Sequence, residues 1–192
     1  LEENLEGFSY IMTVPRHGTI IIATALKAAG YDVTVFSEFV RCQLDWDRIL
    51  TADYVCFSLL SYNALKGYQI ADLIKIKSGI PVIFGGSHPS VLPQDCLRHC
   101  DYAVRNEGEA TVVELINTLE QGRSVKDISG ISYKDDQGKI IHNPDREFMK
   151  DIDLVSDISL IENYCPITLM DGIKNYIKHK RIWVNTQVLQ TS

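Results

Sequence analysis

The residues whose types and spacing could do chemistry gather in one stretch, FGGSHPSVLPQDCLRHCDYAVRNEGEAT, residues 84–111. It holds the pair Gly85-Gly86, His88, the thiols Cys96 and Cys100 with His99 beside the second, and the run Asn106, Glu107, Gly108, Glu109. A glycine pair lets backbone come close to a flat ligand because no Cβ intervenes, and it equally makes a tight turn on leaving a strand. An imidazole such as His88 or His17 serves as general base or metal ligand, and equally as a polar surface group. Two thiols four apart share a helix face, but a metal site needs more ligands than that, and no second pair completes one. Cys96 and Cys100 therefore read as structural, as do the isolated Cys42, Cys56 and Cys165. Five cysteines at irregular spacing suit reduced thiols rather than a disulfide frame. Glu107 and Glu109 stand where a helix begins, where carboxylates favour the positive end of the dipole, so capping accounts for them. No Ser-His-Asp, Cys-His or paired-carboxylate arrangement is defensible from spacing.

These residues must be positioned by the elements around them. Short apolar runs alternate with helical patterns along the chain. FSYIMTV (8–14) reads as a first strand, GTIIIATALKAAG (18–30) as an amphipathic helix stopped by Gly30, and YDVTVFS (31–37) as a β-branched strand. Asp45 is placed to cap a short helix over 45–52; DYVCFSLL (53–60) and IPVIFGG (80–86) are continuous apolar strands of the kind buried on both faces. A helix over 64–77 ends at Gly79, a short helix spans about 94–100, DYAVR (101–105) is a strand, and 109–120 is a helix. ISYK and KIIH around Asp135-Asp136-Gln137-Gly138 read as a β-hairpin, and WVNTQVLQ near the end as another strand.

The alternation predicts parallel strands joined by right-handed crossovers in an open α/β sheet with helices on both faces. In such sheets ligands bind beyond the carboxyl ends of the strands. Ser58, Ser61, Gly85, Gly86 and Asn106 to Gly108 all fall on that edge, with the PRHG turn at 15–18. Each serine is either a hydrogen-bond donor to a ligand or part of a plain strand-end turn. No GxGxxG follows the first strand and no GxxxxGK[ST] occurs, so the dinucleotide and P-loop routes are absent. A receiver domain is disfavoured by the missing acidic cluster after the first strand.

Composition narrows the function classes. The 192 residues, 45% hydrophobic and 23% charged, are ordinary globular values for one domain with a trailing segment. A net charge of -6 argues against a surface built to neutralise phosphates, and the basic stretch Lys174 to Arg181 reads as a solvated helix face, so no nucleic acid is expected. No apolar run approaches the roughly 18 residues of a membrane span, and Glu2, Glu3 and Glu6 stand where a signal peptide would be basic; a soluble, cytoplasmic protein is expected. The chain begins at Leu1, so it reads as an excerpt.

GGSHPSVLPQDCLRHCDYAVRNEGEATVVELINTL, followed by ISGISYKDDQGKIIHNPDR and DIDL, resembles the N-terminal cobalamin-binding domain of radical S-adenosylmethionine enzymes. That group includes the anaerobic magnesium-protoporphyrin monomethyl ester cyclases, and the resemblance covers about residues 10–160. It implies a flavodoxin-like, five-stranded parallel sheet of order 2-1-3-4-5, followed by the hairpin and a linker. The implied organisation is 1–125 for the cobalamin-binding domain, 126–160 for hairpin and linker, and 161–192 as the lead-in to a radical barrel outside the excerpt. It implies a corrin over the carboxyl edge with its nucleotide tail beside the strands ending at Ser58 and Gly85-Gly86. The implied cofactor contacts are Ser58, Ser61, Gly85, Gly86, His88, Asn106, Glu107 and Gly108.

Two departures qualify the resemblance. The DxHxxG motif that supplies a cobalt-ligating His in methyltransferase-type domains is missing around His17, so cobalamin is expected base-off with no protein His on cobalt. The CxxxCxxC that would hold a four-iron four-sulfur cluster and S-adenosylmethionine does not occur, since position 103 after Cys96 and Cys100 is Ala; VLQTS looks like the lead-in to it. The expected partners are cobalamin, the radical domain of the same polypeptide and a small-molecule substrate, with no turnover by the excerpt alone. Ring formation on a tetrapyrrole and methyl transfer are the two chemistries implied. The alternative is a cofactor-free scaffold that positions substrate for its neighbour. On the first reading, Gly86→Leu is expected to abolish cobalamin binding with the fold intact.

Overall fold

A computed structural model of the chain describes residues 17–36, 45–147 and 157–160. Its helices begin and end where the sequence chemistry dictates. Helix α1 (His17–Ala28) closes at Gly30, which takes a φ of 99°. Asp45 caps α2 (Trp46–Ile49), its carboxylate accepting from the Arg48 N–H. Helix α3 (Ala64–Ser78) stops at left-handed Gly79, whose N–H donates to Lys75 O. Helix α6 (Glu109–Glu120) carries no side-chain cap.

The strands are β1 (Val55–Ser58), β2 (Val82–Gly85), β3 (Tyr102–Val104), β4 (Ile131–Lys134) and β5 (Ile140–His142), hydrogen-bonded in the order β1-β2-β3-β4-β5. Alternate side chains feed two cores. Cys56, Ile83 and Val104 face α1 and α6, meeting Ile20, Ala23, Leu26, Val112, Leu115 and Ile116. Val55, Phe57, Val82, Phe84 and Ala103 face α3 and the segment around Cys96, Leu97 and Cys100. Helices therefore cover both faces, as expected.

The all-parallel expectation is corrected: the sheet is mixed. β1, β2 and β3 run parallel, but β4 pairs antiparallel with β3 (Val104↔Ile131) and β5 antiparallel with β4. The reason lies in residues 121–130, which carry the chain back along the sheet after α6, so that β4 starts beside the end of β3. The hairpin is thus an extension of the sheet. Asn143 holds the return segment, its Nδ2 donating to Val125 O and Ile128 O. YDVTVFS forms only an isolated bridge at Val35, whose N–H is taken by Leu160 O from the 3-10 turn Ile158–Leu160. The expected strand at 8–14 lies outside the described residues, and with it the order 2-1-3-4-5. So do Cys42, Cys165, most of the linker, the basic stretch and WVNTQVLQ.

The helix expected over 94–100 is α5 (Pro93–Cys96) with a turn after it, and a further short helix not expected from the sequence, α4 (Ser87–Val91), precedes it. Pro93 has no N–H to continue α4, and its fixed φ suits the first turn of α5. Among the described residues no helix is long and apolar enough to cross a membrane.

Candidate cofactor cleft

At the carboxyl ends of β1 and β2, on the face covered by α1 and α6, lies a cleft of about 160 Å³. Ile22, Ile83, Val104 and Val112 give it apolar walls. Gly18, Gly85, Gly86 and Gly108 bring backbone to its surface, and Thr19, Ser58, Asn106 and Glu109 supply polar groups. The cleft lies between the first turns of two twelve-residue helices, where aligned peptide dipoles leave partial positive charge.

The glycines have different reasons. A Cβ at Gly85 would meet only Phe57 O, at 3.9 Å, so its hydrogen faces open space. Gly86 has a φ of 100°, and a Cβ there would sit 2.6 Å from Leu59 O. The expectation that Gly86→Leu spares the fold is therefore corrected: the backbone of the β1 turn occupies that space. Gly108 is wedged between Ile22 and Val104, whose methyls would lie 3.2 and 3.3 Å from a Cβ.

Of the sequence-predicted residues, Ser58, Gly85, Gly86, Asn106 and Gly108 line this cleft, and Glu107, half-buried, does not. Ser61 and His88 border a different, more open depression on the α3 side with Tyr68, Asp95, Arg98 and His99. His88 is buried, not a surface loop residue. Its Nε2 lies 2.7 Å from Tyr68 Oη and its Nδ1 3.1 Å from Ser61 Oγ. Burial first, and then the Cys96 thiol 3.4 Å away, push the Tyr68 phenol well above its ordinary value. The two ring nitrogens of His88 are thus both engaged, one by the Tyr68 hydroxyl and the other by the Ser61 hydroxyl. Tyr68 also stacks between Phe84 and His99, and His99 Nδ1 pairs with Asp72 at 3.0 Å. The cluster joins α3, α4 and the segment after α5. Among the described residues no group of His, Cys, Asp and Glu could hold a metal ion.

Sequence reasoning missed Thr19, Ile22, Val112 and Glu109 as lining residues. For Glu109 capping was expected, but α6 has no side-chain cap, and Glu109 Oε2 is buried with no hydrogen-bond partner among the described residues. The signal for Ile22 and Val112 was present in the helical periodicity: both belong to apolar faces that reach the sheet's carboxyl edge.

Residues 12–116 match the family model described as B12 binding domain. The chain belongs to that family. Over 153 residues it is 38% identical to an uncharacterized methyltransferase of Pyrococcus horikoshii, covering 77% of this chain and 31% of that protein. Over 177 residues it is 27% identical to the anaerobic magnesium-protoporphyrin IX monomethyl ester cyclase of Rubrivivax gelatinosus, covering 82% of this chain and 32% of the relative. The chain thus spans about a third of the curated relatives it matches. Its fold is shared with the radical S-adenosylmethionine methyltransferase TsrM from Kitasatospora setae, whose structure holds cobalamin and a 4Fe-4S cluster. The TM-score is 0.55 at 20% identity, over 67% of this chain and 28% of that one.

Proposed function

We propose that this B12-binding domain retains cobalamin and serves as the cofactor module of a radical S-adenosylmethionine enzyme. The observation that carries the reading is the cleft at the carboxyl ends of β1 and β2. At about 160 Å³ the cleft is far short of a corrin, and the part of the cofactor that its flat apolar walls would admit is the base of the nucleotide tail. The macrocycle would then stay outside the cleft. Three features fit that group: apolar walls from Ile22, Ile83, Val104 and Val112 for the base, open space beside Gly18 and Gly85 that a Cβ would enter, and an orphaned carboxylate oxygen at Glu109 able to accept from a donor on the tail. Ser58 and Thr19 are placed to hydrogen-bond the tail's polar atoms, and the first turns of α1 and α6 favour its phosphate.

The cleft residues would hold the base of the tail, and with no DxHxxG histidine in the sequence bound cobalamin would be expected base-off. Bound cobalamin would supply a cobalt centre able to carry a methyl group or an electron. What this chain's residues do is hold the tail, exclude water from the base and set the macrocycle's height above the sheet. A cluster and S-adenosylmethionine belong to a further domain of the parent protein. The methyltransferase relative, at the higher identity, favours methyl transfer over ring formation. Ser61, His88 and Glu107 support the edge from outside the cleft.

The test is a spectrophotometric titration of the purified protein with hydroxocobalamin and methylcobalamin, with cobalt measured after desalting. Saturable uptake of about one equivalent with a base-off spectrum is expected. No retention at high ligand would overturn the reading in favour of the cofactor-free scaffold.

A further inference from the structure

We propose that Ser90 is the positioning residue that fixes the shape of the cleft mouth, its hydroxyl tying the turn after β2 to the turn after β3. The inference rests on the cobalamin reading and extends it to a residue that does not line the cleft. Ser90 Oγ donates to Gly86 O at 2.9 Å and accepts from Asn106 N–H at 2.8 Å. Gly86 and Asn106 both line the cleft.

Two observations make this bond more than a local turn contact. The β2-β3 register ends at Phe84↔Ala103, so beyond those residues the sheet ladder no longer holds the two turns together. Asn106 has a φ of 60°, the one non-glycine residue with positive φ among those described. Left-handed backbone is unfavourable for a non-glycine residue, least for Asn and Asp, and persists where the surroundings hold it. The amide that Ser90 captures is that of the strained residue itself. Two residues on, Gly108 is lodged against Ile22 and Val104, and α6 begins. A shift at Asn106 therefore moves the wall of the cleft.

The test compares Ser90→Ala, Ser90→Thr and Ser78→Ala, using hydroxocobalamin as ligand, thermal melting for stability, and amide hydrogen exchange of the ligand-free protein. Ser78 is the control: its Oγ also donates to a carbonyl four residues back, Ile74 O at 2.8 Å, and accepts from Ile80 N–H at 3.5 Å, but away from the cleft. Loss of the two hydrogen bonds that the Ser90 hydroxyl makes between the turns predicts a rise in the Kd of Ser90→Ala of about fivefold to tenfold. Faster exchange at Asn106 should accompany it, with Ser90→Thr restoring both and Ser78→Ala binding as wild type does. Should the alanine variant fail to fold, Ser90→Cys carries the same comparison with a weaker acceptor. Wild-type affinity in the Ser90 variant overturns this inference alone, as does a loss matched by Ser78→Ala. Failure of wild type to take up cobalamin overturns the cofactor reading and this inference with it.

Discussion

Gly85 and Gly86 are adjacent and make opposite demands on a side chain. Position 85 is open toward the cleft, so Gly85→Val is expected to leave the melting temperature within a few degrees of wild type while abolishing retention of hydroxocobalamin. A folded variant that still binds would remove the tail from this cleft. Gly86→Ala is expected to destabilise by roughly 1–3 kcal/mol, measured by urea unfolding, because positive φ and contact with Leu59 O act together. The thiols give a second contrast with their appearance in the sequence. Cys56, Cys96 and Cys100 are buried thiols outside any disulfide, and desolvation pushes the Cys100 thiol well above its usual range, with burial raising Cys96 as well. Since the thiolate is the reactive form, peptide mapping should find Cys96 and Cys100 unlabelled by iodoacetamide at pH 8 in the native protein and labelled after denaturation. Labelling of Cys100 in the folded state would contradict the core described for it.

Among the elements, the hairpin depends on one amide. Asn143→Ala removes both hydrogen bonds to the return segment, leaving the buried Ile128 carbonyl without a donor and the Val125 carbonyl with only the Ile128 N–H, and is expected to cost about 2 kcal/mol. Asn143→Asp should cost more, because acceptor oxygens would face acceptor oxygens; a denaturation midpoint unchanged in either variant would refute the role. The β-hairpin, α3, α6 and the buried strands were legible because local chemistry determines them: turn residues, Gly79 and a period of 3.6 or 2. What was not legible was set at a distance. The direction of β4 follows from residues 121–130 folding back, and YDVTVFS has strand composition but only a single bridge. In the site, position along the edge was readable for Ser58, Gly85, Gly86, Asn106 and Gly108. The face of the sheet was not, and Ser61 and His88 turned to the α3 side, where Tyr68 and His88 share a hydrogen bond.

At the scale of the whole molecule, cofactor and distant contacts act on one stability. A ligand that binds only the folded state adds about 2.7 kcal/mol at a hundredfold excess over Kd, so melting temperature should climb with hydroxocobalamin concentration. The 3-10 turn at Ile158–Leu160 is tied to α1 through Asp157, which accepts from Lys27 Nζ at 2.9 Å and whose N–H donates to Thr24 Oγ1. Hydrogen bonds from the Ser159 hydroxyl, Lys27 and the Ser159 N–H, in that order, lower the Asp157 carboxyl from 3.8 to about 2. A depressed folded-state value means that this tie is complete above pH 3.8 and is lost as pH falls through about 2. A carboxyl NMR titration with a midpoint near 3.8 would show it absent.

The mixed sheet has a consequence for how these molecules behave in a crowd. A parallel sheet ending at β3 would leave a strand edge of the kind on which another polypeptide can pair. Here that position is taken by the hairpin, and its outer strand β5 is only three residues long and is followed by Pro144 after Asn143. A second chain seeking to add itself on that side finds a short ladder, and at Pro144 no amide hydrogen to share. The same fold-back that broke the parallel order protects the sheet from growing.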